Sequence, residues 1–183
     1  PEGTIDRSQR RSLDLLRSLN EEHLKSRPGD SELVARIESY ELAFRMQSRA
    51  ADVVDLSRET AETQEMYGLN NAQTSDFGRK CLITRRLIEN GVRFIQLYSG
   101  GGHLEDTWDG HGDCITNHRT HAAETDQPIA ALITDLKRSG LWNDTLLIWG
   151  GEFGRTPTSE GVGKPGRDHN WHGFSMWLAG GGV

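Results

Sequence analysis

Three glycine-rich loops contain most of the side chains that could bind a metal ion or an anion. The first loop, from Gly100 to Asp113, contains Asp109 and His111. The second contains Glu152 and Arg155, and the third contains His169 shortly before an apolar stretch. Carboxylates and imidazoles are ligands that proteins offer to zinc and manganese. A metal site therefore requires these loops to meet in space.

The spacing within the loops favours four metal ligands. Asp109 and His111 are two residues apart, so in an extended segment both side chains project from one side and can bind one cation. Glu152 follows an apolar stretch, and a carboxylate buried at a strand end requires a metal ion or a charged partner. Of the neighbours Asp168 and His169, we expect His169 to enter the site while Asp168 orients a neighbour. The alternative is that Asp109 and His111 are solvated loop residues that bind no metal ion, because such a pair has the same sequence pattern. The metal interpretation therefore depends on all four candidate ligands lying together.

Arg155 is predicted to hold the anionic group of a substrate, because a planar guanidinium can donate to two oxygens of a phosphate or sulfate. A structural ion pair with Glu152 is the alternative. No nucleophile is assigned, since the sequence lacks a GxSxG motif and the hydroxyls near the loops resemble ordinary turn residues. These hydroxyls belong to Thr107, Thr156 and Thr158.

Other histidines and acids near the loops are not assigned to the site. His118 and His121 are one helical turn apart, and we interpret them as part of an exposed helix face. His172 is interpreted as packed beside its neighbour Trp171. The first loop also contains His103, Glu105 and Asp106.

The elements that must position the loops predict an α/β domain. Apolar runs predict strands at 92–98, 145–149 and 174–179, and an amphipathic pattern predicts a helix over 116–139 with a kink or break at Pro128. A strand, a crossover helix and a second strand lie parallel in one sheet. Ligands bind beyond the carboxyl ends of such strands, so the first two loops are expected at the same sheet edge.

The remainder of the chain is predicted to be helical. Residues 1–65 are interpreted as a helical cover or insertion, and residues 66–183 as part of the α/β core. A further helix is expected from Phe77 to Ile88, followed by Asn90 and Gly91, because glycine tolerates the left-handed conformation that ends a helix.

Composition excludes several classes of partner. The formal net charge is -6, so the chain has no general electrostatic footprint for nucleic acid. Its longest apolar runs have the length of strands, far below the roughly 20 residues of a bilayer helix. Cys81 and Cys114 are far apart and form no CxxC motif, so they do not decide the redox compartment.

Several stretches together resemble the bacterial DUF1501 family, a domain of unknown function. They are GRKCLITRRLIENGVRFIQL, WDGHGD, GLWNDTLLIWGGEFGRTP, GRDHN and GFSMWLAGGGV. The resemblance implies an alkaline-phosphatase-like or sulfatase-like core with a mainly parallel sheet, flanking helices and a divalent metal ion. It also suggests export from a bacterial cell.

The resemblance extends to single residues. Asp109 and His111 resemble the middle ligand pair of that superfamily, Glu152 takes the place of an aspartate after a strand, and His169 resembles the final histidine. Phe153 stands where a histidine of a second metal is expected, so one complete site is predicted. We interpret the chain as a fragment whose nucleophile precedes Pro1.

The expected function is metal-dependent hydrolysis of small phosphate or sulfate esters. Zn²⁺ or Mn²⁺ is favoured over Mg²⁺ or Ca²⁺ because two of the ligands are nitrogens. The alternatives are a catalytically degenerate binding or structural module, and a cluster of salt bridges that needs no metal. The sequence leaves enzymatic activity, substrate and oligomeric state open.

Overall fold

The computed structural model describes residues 6–27, 31–100, 107–159 and 165–183. The chain divides into two compact units, Pro1–Asp55 and Leu56–Val183, and each has its own internal contacts. All the predicted site residues lie in the second unit.

The first unit consists of two helices in contact, α1 (Asp6–Ser26) and α2 (Ser31–Val54). Arg10 joins them by donating two hydrogen bonds, of 2.9 and 2.7 Å, to the carboxylate of Glu41. The same guanidinium lies 5.0 Å from the ring centre of Phe44. Apart from Arg27 and Asp55, the described residues of this unit are helical.

The second unit is organised around two long helices, α4 (Ser75–Glu89) and α5 (Cys114–Arg138). A single-turn 3-10 helix (Leu56–Arg58) and the short helix α3 (Ala61–Met66) precede them. The buried apolar core consists of residues from these helices and from the turn before α4. Its members are Leu56, Tyr67, Leu69, Phe77, Cys81, Leu82, Ala131, Leu132 and Leu136.

Local signals fix the ends of these helices. The Asp113 carboxylate accepts hydrogen bonds from the backbone N–H groups of Ile115 and Thr116, each 3.1 Å long, which caps α5. Gly91 follows α4 with φ of 84°, as the sequence predicts. Helix α5 runs through the buried Pro128 without a break. No helix in the described ranges is long and apolar enough to cross a membrane.

A partly buried network of charges connects the turn before α3 to α4 and α5. Arg85 lies 2.7 Å from the Glu59 carboxylate, and Arg86 forms a second ion pair with the same group. Arg85 Nε lies 3.0 Å from Asp135 Oδ2, at an angle too poor for a hydrogen bond. The Tyr67 hydroxyl donates to the same oxygen at 3.0 Å. Glu59 therefore neutralises two arginines that are mostly removed from water.

Two small antiparallel sheets complete the second unit. After a 3-10 turn (Trp142–Asp144), strand β1 (Leu146–Gly150) pairs with β4 (Met176–Gly180). Strand β2 (Gly154–Arg155) pairs with β3 (His169–Asn170). Leu147 packs against the helical core, whereas its neighbours Leu146 and Ile148 are exposed.

The predicted mainly parallel, alkaline-phosphatase-like sheet is wrong for the part of the chain that the structure describes. The apolar run 92–98 forms no strand, and its Phe94 side chain is 78% exposed. The other two predicted strands exist as β1 and β4 but run antiparallel. Past the end of β4, Gly181 N–H donates to Thr145 O at 3.0 Å, which holds this end beside the start of β1. Apolar runs indicate burial, and they do not specify which strand pairs with which.

Removing the Glu59 carboxylate is expected to destabilise the second unit. Glu59→Ala leaves Arg85 and Arg86 partly buried without this partner, which costs roughly 3 kcal/mol of unfolding free energy. Urea unfolding followed by tryptophan fluorescence measures this quantity, because all five tryptophans lie after residue 56. Glu62→Ala is the matched control, since Glu62 is 85% exposed and 3.9 Å from its arginine partner. An equal loss of unfolding free energy in Glu59→Ala and Glu62→Ala would contradict the stabilising role assigned to Glu59.

The Cys81 thiol is expected to make stability depend on pH in the alkaline range. Burial raises the pKa of Cys81 from 9.0 to about 12. The thiolate forms more readily in the unfolded chain, so this contribution is complete below pH 9 and is lost as the pH rises towards 12. We expect the unfolding free energy of the wild type to fall more steeply over that window than that of Cys81→Ala. Parallel curves would show that Cys81 is not responsible.

Candidate metal centre

Two segments of the second unit meet at the candidate site. Asp109 and His111 lie in the segment that leads into α5, and His169 lies in β3. Strand β3 is positioned by its pairing with β2, in which His169 is opposite Arg155. Residues from the first and third loops therefore reach one place, with β2 from the second loop beside them.

The contact between these segments depends on glycine at position 166. A β-carbon at Gly166 would lie 1.7 Å from the backbone oxygen of His111, which no real side chain permits. Next to it, the N–H of Arg167 donates to the backbone oxygen of Gly110 at 3.0 Å. The missing side chain lets the third loop approach closely enough to bring His169 to the first loop.

Three of the four predicted ligands form a cluster. His111 Nε2 lies 3.0 Å from His169 Nε2, and Asp109 Oδ1 lies 3.1 Å from the first nitrogen and 3.2 Å from the second. The three atoms form a nearly equilateral triangle. Among the described residues, this is the one group of three or more histidines, cysteines or acids with ligand atoms close enough to share an ion.

The size of this triangle fits a metal ion. Ligand atoms held 2.0 to 2.2 Å from a tetrahedral zinc ion are about 3.3 to 3.6 Å apart. Adjacent ligands of an octahedral ion at 2.0 to 2.1 Å are about 2.8 to 3.0 Å apart. The observed separations of 3.0 to 3.2 Å lie between these ranges. A small movement of the side chains therefore suffices for either geometry.

The protons of the two histidines cannot by themselves make every contact in this cluster favourable. If both histidines carry a proton on Nε2, the two N–H groups oppose each other across 3.0 Å. If one of them lacks that proton, its lone pair faces the negative oxygen of Asp109. Each of these protonation states leaves one unfavourable contact. A shared cation would remove it by giving all three lone pairs a common partner.

Arg155 holds the Asp109 carboxylate in this position. Its Nη2 donates to Asp109 Oδ1 at 2.6 Å and to the backbone oxygen of Trp108 at 3.3 Å, and its Nη1 donates to the backbone oxygen of Arg167 at 3.1 Å. The guanidinium therefore contacts the first and third loops together. The predicted alternative partner of Arg155, Glu152, is not the carboxylate that it binds.

Charges around Asp109 keep it ionised. Partial burial raises its pKa, but the hydrogen bonds from Arg155 and His169 and the charge of His111 outweigh that effect and hold the pKa below its ordinary value. An ionised carboxylate is the form that binds a metal ion.

The structure does not bring Glu152 to this cluster. Its side chain is exposed, one residue before Phe153, whose ring centre lies 4.3 Å from that of His169. The apolar ring covers one side of His169, at the position where a second histidine ligand is expected from the family resemblance.

The remaining candidates lie outside the cluster. Asp168 Oδ1 accepts from the backbone N–H of His169 at 2.7 Å and so orients the strand that carries it. His118 contacts Cys114, with Nδ1 and Sγ 3.0 Å apart, whereas His121 is buried, contrary to the expected exposed helix face, and pairs with Glu124 at 2.8 Å. His172 is exposed beside Trp171, as expected. The predicted loop residues His103, Glu105 and Asp106 lie outside the described residues.

Sequence reasoning missed one position and one residue pairing that build the site. Gly166 permits the close approach of the loops, and the sequence signal was a glycine three residues before a candidate ligand. The partnership of Arg155 with Asp109 spans 46 residues, so no local pattern indicates it.

Replacing Arg155 is expected to destabilise the second unit at pH values where Asp109 is ionised, and to have less effect in acid. A lowered folded-state pKa contributes stability above the ordinary value of 3.8, and this contribution is lost as the pH falls through the folded value. Arg155→Gln should cost about 2 kcal/mol at pH 5, with the difference from wild type shrinking below pH 4. Fluorescence-monitored urea unfolding at each pH measures it. Arg138→Gln, at an exposed ion pair, is the control, and an equal pH dependence in both variants would refute the role of Arg155.

Comparison with known proteins identifies the family and no closer relative. Neither a curated protein nor a solved structure shows significant similarity to the chain. The model of one family, described as protein of unknown function DUF1501, matches residues 1–183. Since this match extends along the whole sequence, the chain belongs to the DUF1501 family.

Proposed function

We propose that Asp109, His111 and His169 bind one divalent metal ion in a domain that hydrolyses small phosphate or sulfate esters. The observation that carries the proposal is the triangle of ligand atoms 3.0 to 3.2 Å apart. The proposal rests on this local arrangement and needs no parallel sheet.

The chemistry of the ligands favours particular metals. One carboxylate and two imidazoles suit Zn²⁺ or Mn²⁺, whereas Mg²⁺ and Ca²⁺ prefer oxygen ligands. Three protein ligands leave at least one coordination position open, as in catalytic zinc sites. Phe153 against His169 favours a single ion over a pair.

The residues around the triangle have separate roles in this proposal. A bound metal ion supplies a Lewis acid that polarises an ester oxygen. Asp109 stays ionised and in place because Arg155 and His169 donate to it. Arg155 retains its Nε–H and one N–H of Nη1 without an acceptor in the described parts of the chain. Either of these donors can give one hydrogen bond to an anionic substrate group while the rest of the guanidinium holds Asp109.

A binding or structural module without catalysis is the second candidate. Two hydroxyls of the loop after β2 are used within their own turn, since Thr156 Oγ1 donates to Thr158 O at 2.7 Å and Thr158 Oγ1 donates to Thr156 Oγ1 at 3.3 Å. They are therefore not presented as nucleophiles. The 2.6 Å ion pair of Arg155 with Asp109 would also persist without a metal ion.

Metal binding is tested by removing one ligand at a time. Purified chain is stripped with a chelator and titrated with Zn²⁺ and Mn²⁺ by calorimetry, and the bound metal is counted by elemental analysis. We expect one ion per chain, with binding weakened by at least about tenfold in Asp109→Ala and His169→Ala, because a site with two protein ligands left is incomplete. His172→Ala is the matched control for losing a loop histidine, and Glu152→Ala tests whether the fourth predicted ligand takes part. Equal affinity in wild type and His169→Ala would overturn the site.

Hydrolysis is tested separately on the metal-loaded full-length protein, because the fragment interpretation places the nucleophile before Pro1. We expect turnover of 4-nitrophenyl phosphate or 4-nitrophenyl sulfate in proportion to bound metal, and its loss on chelation and in Asp109→Ala. Metal binding without turnover of either ester would favour the non-catalytic module.

A further inference from the structure

A cavity separate from the metal cluster lies between α5 and the sheet formed by β1 and β4. Its volume is about 460 Å³, within the range of small-molecule sites. One wall consists of helix residues that include Ala122, Asp126 and Ile129, at spacings that place them on one face of α5. The other wall is made by Trp149 and Trp177.

The two tryptophans form an aromatic wall. Trp149 and Trp177 are directly opposite each other in the antiparallel pair of β1 and β4, so both project from the same face of the sheet. Their rings are nearly parallel, at 7°, with centres 6.5 Å apart. Trp108 meets Trp149 edge-on at 5.9 Å and fixes its position. Trp149 remains 37% exposed, so the packing around it leaves much of its surface open.

The opposite wall carries one negative charge. Asp126 is exposed, and its carboxylate makes no hydrogen bond or ion pair in the described part of the chain. Among the residues that the structure describes, no lysine or arginine lines the cavity. The helix wall also contains the polar side chain of Thr125, whose hydroxyl donates a hydrogen bond of 2.9 Å to the backbone oxygen of His121. In the described part of the chain, the cavity thus combines two indole rings with one carboxylate that has no ion-pair partner.

This combination selects one class of ligand. Indole rings attract cations through their electron-rich faces, and aromatic walls with a nearby acid recognise quaternary ammonium groups. A sugar would need several hydrogen-bonding groups, whereas the described residues of this wall offer the Asp126 carboxylate and a Thr125 hydroxyl whose proton is already donated to His121 O. An anion would be repelled by Asp126. Methyl groups on a cation would pack against the tryptophans while its charge faces Asp126.

We propose that the cavity between α5 and the β1–β4 sheet binds an organic cation of the quaternary ammonium type, held by Trp149, Trp177 and Asp126. This binding is independent of the metal cluster and of ester hydrolysis. It gives the domain a second recognition site, next to the segment that carries Asp109, because Trp108 precedes that ligand in the chain and contacts Trp149.

The test compares a cation with its uncharged isostere. Choline and 3,3-dimethyl-1-butanol have nearly the same shape, and only choline carries a positive charge. We expect choline to change tryptophan fluorescence saturably, and the alcohol to bind at least about fivefold more weakly, because the cation–π and carboxylate interactions require charge. Calorimetry provides the same comparison without relying on the tryptophans as reporters.

Two variants locate the site. Asp126→Asn keeps the size of an exposed side chain and is expected to remove most of the preference for choline over the alcohol. Asp144→Asn, at an exposed carboxylate of the turn before β1, is the matched control and should leave it unchanged. Trp177→Leu should abolish choline binding while Zn²⁺ affinity is retained. Equal binding of choline and the alcohol, or an unchanged preference in Asp126→Asn, would overturn the proposal.

Discussion

The Arg155 guanidinium is the interaction on which the candidate metal centre depends. It donates to a backbone oxygen in each of the two segments that meet there, at Trp108 and Arg167, and to the Asp109 carboxylate. Two carbonyl groups and one carboxylate thus share a single cation that cannot lose its charge near neutral pH. Because the guanidinium is planar and rigid, it fixes the positions of these acceptors as well as their charge balance. The histidines then converge on an oxygen that is already held.

The sequence predicts those parts of the fold that depend on neighbours in the chain. The glycine after α4 is a local signal, and it acts where the sequence places it. The apolar spacing of α4 and α5 likewise predicts their existence and their buried faces. Among the site residues, Asp109, His111 and His169 were identified by type and loop position, and the structure brings them together.

The rest depends on contacts between distant residues, which a single sequence does not specify. The parallel sheet was inferred from three apolar runs, yet one forms no strand in the structure and the other two pair antiparallel. That error also explains Glu152, which was placed at the site as a residue at the end of a parallel strand. In the structure β1 ends at Gly150 and β2 starts at Gly154, and the residue that reaches Asp109 from this segment is Arg155.

Gly166 shows how a residue that touches no ligand atom can control a site. The loops meet so closely there that even one methyl group would have to push the His111 backbone away. Such a shift would separate the two imidazoles while every ligand kept its identity. In a comparison of natural family members, loss of glycine at this position would therefore mark a protein whose ligands are all present in the sequence but no longer form a site. Counting ligands alone would misclassify that protein as competent.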